Sequence, residues 1–82
     1  INKNEINIFP NPAKSFVNIK PNTSSSFEVL IYNTNGQLIY SGKYPENTTL
    51  VELNTIGYTD GLHFVHFTSD NKQLFGKFLK IK

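Results

Sequence analysis

The chain has 82 residues, enough for one small core and too few for a second lobe. A chain this short buries roughly 60–65% of its unfolded surface, so its stability rests on few core residues. There is no Cys, which excludes a disulfide framework and a thiolate metal site.

In chain order, Glu5-Ile-Asn-Ile-Phe9 alternates polar and apolar residues and predicts a strand. Pro10-Asn11-Pro12 stops it, because two prolines remove two ladder donors and fix a rigid corner. Ser15–Lys20 predicts a second strand, with Val17 and Ile19 on one face and Phe16 on the other. Pro21–Ser26 is a polar loop. Phe27–Tyr32 is the strongest strand signal: Phe27, Val29 and Ile31 make one face, and Glu28, Leu30 and Tyr32 a half-apolar opposite one. That pattern predicts a central strand covered on both sides.

Asn33–Gly36 then predicts a tight hairpin, either a type I turn with Gly36 in a bulge or a two-residue Asn-Gly loop, before Gln37–Ser41 resumes the strand pattern. Gly42–Asn47 reads as a turn-rich connection and Thr48–Leu53 as another strand. Asn54–Gly61 reads as a loop anchored by Ile56 alone. The chain closes with Gly61–Phe67, a turn at Ser69–Lys72, and a strand from Gln73 to the final residue. Gly61 follows an acidic turn residue, where positive φ or close backbone approach calls for glycine. No segment repeats apolar residues at helical spacing, and about seven short strands predict an all-β, immunoglobulin-like antiparallel β-sandwich. The sandwich spans residues 6–82, with residues 1–5 as the end of a linker.

Charge is unevenly placed. Net charge is +2, yet Lys72, Lys77, Lys80 and Lys82 all fall in the last eleven residues with no acid among them. Such a basic, apolar strand fits edge protection against sheet-to-sheet aggregation. It also offers an edge to which a receptor strand, or a second copy, could add. Nucleic acid is not the expected partner, because Arg is absent.

Chemistry is sparse. His63 and His66, three apart on one strand, point to opposite faces and cannot share a metal. His63 goes with Val65 and Phe67 to the core rim, and His66 to the exposed side. There is no nucleophile elbow, phosphate loop or paired-carboxylate site. The expectation is a domain that is no enzyme and takes no cofactor and no metal. With Ile at position 1 and no Met, the chain also reads as a processed piece of a longer protein. It contains no signal-peptide pattern, so if the parent is secreted, its inner-membrane export signal is expected upstream.

Taken together, these stretches resemble the type A C-terminal sorting domain of the type IX (Por) secretion system of Gram-negative bacteria. Ile8-Phe-Pro-Asn-Pro-Ala13 looks like its opening strand and Pro-Asn-Pro corner, and Val29–Ile39, with Asn35-Gly36, resembles its central hairpin. Gly61–Phe67 is similar to its Gly-X-Tyr strand, and Lys77-Phe78-Leu79-Lys80-Ile81-Lys82 to its Lys-rich terminal strand. The chain departs from the pattern at His63, where the family usually has Tyr, and at Asp60, where it often has Pro. The resemblance covers residues 6 to 82 and implies a seven-stranded sandwich at the end of a secreted cargo protein. It implies recognition by the outer-membrane translocon from the periplasm. It further implies removal by a sortase-like peptidase at the cell surface, where the cargo stays or is released. Gly61 and residues 77–82 are then the candidate sorting signal, with Pro10, Asn11, Pro12, Asn35 and Gly36 as structural motif. The competing reading is a carbohydrate- or protein-binding module using an exposed cluster of Tyr32, Tyr40, Tyr44 and Tyr58.

Overall fold

A computed structural model describes residues 6–82, so expectations for Ile1–Glu5, the linker and the start of the first strand at Glu5 among them, lie outside the described residues. Seven strands follow in order: β1 Asn7–Phe9, β2 Phe16–Lys20, β3 Phe27–Tyr32, β4 Leu38–Tyr44, β5 Val51–Asn54, β6 Gly61–Ser69 and β7 Lys72–Lys80. A three-stranded sheet, β1-β2-β5, faces a four-stranded sheet, β4-β3-β6-β7, and every strand pair is antiparallel. In immunoglobulin lettering these are an A-B-E sheet on a C′-C-F-G sheet.

The alternation that marks each strand sorts its side chains between core and surface. Val17, Ile19, Val51 and Leu53 from the small sheet meet Phe27, Val29, Ile31, Val65, Phe67, Leu74 and Phe78 from the large one. Phe27 stacks on Phe67 at 4.7 Å and on Tyr44 at 5.3 Å, which ties β3 to both neighbours. β3 is central, as its pattern predicts, but only one of its faces is covered. Glu28, Leu30 and Tyr32 are half-buried on the outer face of the large sheet, shielded by cross-strand neighbours alone.

The β3–β4 turn takes the first of the two expected forms, the type I turn with Gly36 in a bulge. The Gly36 N–H donates to the Asn33 carbonyl at 2.9 Å, Gly36 has φ +82°, and the register shifts beside it. Asn33 stabilises the turn from within, its Oδ1 accepting the N–H groups of Asn35 and Gln37 at 2.9 and 3.0 Å.

β4, β5 and the loop after β5 differ from expectation. β4 continues through Gly42 to Tyr44 instead of ending at Ser41, since Gly42 pairs with Val29 and its missing side chain leaves room for the hydrogen-bonded hydroxyls of Tyr40 and Tyr44. β5 starts at Val51, whose partner Ile19 is the last β2 residue to pair with it, and Leu50 before it is exposed. The loop after β5 is anchored by Thr55, not Ile56. Thr55 is fully buried, its N–H donates to the Ser15 carbonyl and its hydroxyl to the Lys14 carbonyl, while Ile56 is 68% exposed. A short polar side chain reached backbone acceptors that an apolar one could not satisfy.

Candidate functional site

The β6–β7 hairpin is the longest element pair, nine residues against nine, and contains most of the residues singled out above. A two-residue turn closes it, with both Asp70 (φ 48°) and Asn71 (φ 66°) in the left-handed region. Those are the two conformations a type I′ hairpin turn needs, and Asp and Asn tolerate them best after Gly. Gly61 opens the hairpin at φ +125°, which confirms the reason expected for a glycine there. The Thr34 hydroxyl, from the β3–β4 turn, donates to the neighbouring Leu62 carbonyl at 2.7 Å.

The two histidines part as alternation requires. His63 is fully buried, its Nδ1 3.0 Å from the Gly61 carbonyl, and it lies between Tyr58 at 5.4 Å and Phe78 at 5.2 Å in a stacked aromatic column. It lies deeper than the rim position expected. His66 is half-buried on the outer face, stacked on Phe75 at 4.9 Å with the rings nearly parallel. Among the described residues no group of three or more His, Asp or Glu side chains comes together.

β7 divides the terminal residues between two environments. Phe78 is 0% exposed and belongs to the core. Lys80 is 5% exposed, and its ammonium group donates to the Ile81 carbonyl at 2.8 Å. Its inward position takes it out of the exposed basic group. Lys77, Leu79 and Lys82 are exposed. The strand also stops earlier than expected, at Lys80, with Ile81 and Lys82 beyond it.

The end of β7 is not a free edge. The Ala13 N–H donates to the Leu79 carbonyl at 2.7 Å, the Ile81 N–H to the Ala13 carbonyl at 2.9 Å, and the Leu79 N–H to Asn11 Oδ1 at 2.9 Å. Ala13 thus forms a parallel bridge with Lys80, and fully buried Ala13 fills the junction. The Pro10-Asn11-Pro12 corner brings Asn11 and Ala13 to this place; both of its X–Pro bonds are cis. Two stretches about seventy residues apart in sequence therefore make one structural unit. Sequence reading gave the corner and the terminal strand separately but missed Ala13, whose small side chain carries no signal by itself. Asn35 and Gly36 lie in the exposed β3–β4 turn, hydrogen-bonded through Asn33 and away from this unit.

β1 crosses β7 near Gly76. A Cβ there would come 2.6 Å from Ile8 Cδ1 and 3.0 Å from Ile6 Cγ1, so any larger residue would have to push those side chains aside. Beside it a cleft of about 530 Å³ opens along the flank of the sandwich.

The model of the secretion-system C-terminal sorting domain matches residues 7–82, nearly the whole chain. The chain belongs to that family. It is a type IX C-terminal sorting domain, a class of signal rather than of catalyst. No curated protein matches the chain. The matched span includes both halves of the unit, Asn11–Ala13 and Leu79–Ile81, joined by the three hydrogen bonds above.

Proposed function

We propose that the chain is the export tail of a larger protein, carrying it from the periplasm through the outer-membrane type IX translocon to the surface or the medium. A surface sortase-like peptidase then removes the tail. The supporting observation is the construction of β7: it is clamped to the core through Phe78 and to the corner through Leu79 and Ile81, while Lys77, Leu79 and Lys82 stay exposed. A terminal segment held rigid pays little ordering entropy when a receptor reads it. Gly61 and Lys80 then serve the signal by shaping the hairpin and its end, and Lys77, Leu79 and Lys82 by contact.

The test is a folded reporter with an inner-membrane signal peptide, carrying this chain at its C-terminus in a bacterium with the type IX system. The reporter is expected on the surface or in the medium with the chain and in the periplasm without it. Periplasmic retention of both would refute the reading. A binding module is not favoured, because Tyr40, Tyr44 and Tyr58 pack against the core and Tyr32 lies on the outer face of the large sheet. They form no common platform.

A further inference from the structure

The clamp at Leu79 fixes which part of β7 can accept a partner. Both the N–H and the C=O of Leu79 point away from β6, toward Asn11 and Ala13. Backbone groups in a strand alternate between its two edges, so Gln73, Phe75 and Lys77 present their N–H and C=O on that same outer edge. Among the described residues β7 ends the order of the large sheet, and the corner covers its outer edge only at the far end. Three consecutive outward pairs are therefore left for a further strand. The flanking cleft sets the apolar side chains of Ile6, Ile8, Phe64 and Phe75 beside the polar ones of Asn7, Asn11 and Lys77. Phe75, 59% exposed, is the largest apolar surface on the strand.

We infer that Gln73–Lys77 is a strand-acceptor site for an extended apolar segment that carries a carboxylate opposite Lys77. Backbone hydrogen bonds supply affinity, and alternate side chains supply specificity. One face of the incoming strand covers Phe75 at the mouth of the cleft that β1 flanks. The carboxylate follows from charge: Lys72, Lys77 and Lys82 are exposed along this strand and its end, and no acid lies between residues 71 and 82. A second copy would bring its own three lysines to the same seam. As a contact for the export machinery this inference rests on the function proposed above, but the site itself can be tested without that machinery.

The probe is a seven-residue peptide alternating Val and Thr with one central Glu, added to the 82-residue chain and followed by amide NMR shifts and hydrogen exchange. Slowed exchange at Phe75 and Lys77, with shifts spreading to Ile8, is expected. Lys77→Glu should weaken the Glu peptide roughly three- to tenfold and favour its Glu→Lys counterpart. Phe75→Pro, which removes an outward donor and leaves the β6 ladder intact, should abolish binding. Should that variant lose its fold, the Lys77→Glu charge swap still decides. Absence of binding, protection at a different edge, or equal affinity for the Glu and Lys peptides would overturn the site. Concentration-dependent dimerisation through the same amides would overturn the choice of partner. If the peptide binds as described and a Lys77→Glu reporter is still exported, the site stands and its role in sorting fails.

Discussion

Neighbouring residues on β7 have opposite duties, and substitutions there should separate cleanly. Phe78→Ala removes a fully buried ring from the column with His63 and should cost about 3–5 kcal/mol in urea unfolding, a large share of a small domain's stability. Phe75→Ala, on the exposed face, loses only its cross-strand stack on His66 and should cost no more than about 1 kcal/mol. Asn11→Ala deletes the acceptor for the Leu79 N–H and should cost about 1 kcal/mol, with faster amide exchange at Leu79. The tyrosines give a pH signature. Burial, followed by the hydrogen bond from Tyr40 and the neighbouring phenols, holds the Tyr44 hydroxyl well above its ordinary range, and burial raises Tyr58 in the same direction. Both groups keep their protons longer folded than unfolded, so their contribution is fully present below the unfolded phenol pKa near 10 and is lost as pH rises beyond it. Stability measured from pH 8 to 12 should fall above about pH 10, and Tyr44→Phe should flatten the fall.

At the scale of the element, what could be read in the sequence was whatever one strand decides alone. Val17 and Ile19, or Phe27, Val29 and Ile31, declare their faces by alternation, and Asn-Gly and Asp-Asn declare their turns. What could not be read depended on a partner. β4 runs on to Tyr44 because β3 faces it as far as Phe27. Thr55, an ordinary polar residue in sequence, becomes an anchor because Lys14 and Ser15 offer carbonyls. Lys80 gave the same signal as Lys77 and ended inside, because position along the pleat, not residue type, sets its face. Gly76 was equally silent, since its reason is the crossing of β1. Gly76→Ala should therefore cost about 1–3 kcal/mol by pushing Ile6 and Ile8 off β7, detectable as a lower urea midpoint.

For the whole molecule, the sandwich joins its beginning to its end. Asn11 and Ala13 hold Leu79 and Ile81, so removing residues 78–82 would empty the core position of Phe78 and release the corner together. Loss of export in that truncation would not distinguish a lost signal from a lost fold. The family and the architecture were legible because the corner, the hairpin turns and the terminal lysines occur in a fixed order. The proposed working surface was not, because it depends on which edge groups the corner leaves open. The most direct measurement is surface display of the reporter fused to Lys77→Glu, with thermal unfolding of the same variant showing an unchanged fold. Surface reporter reduced severalfold, with the melt unchanged, is the predicted result. Full display by that folded variant would contradict the claim that the outward face of β7 is what the export machinery reads.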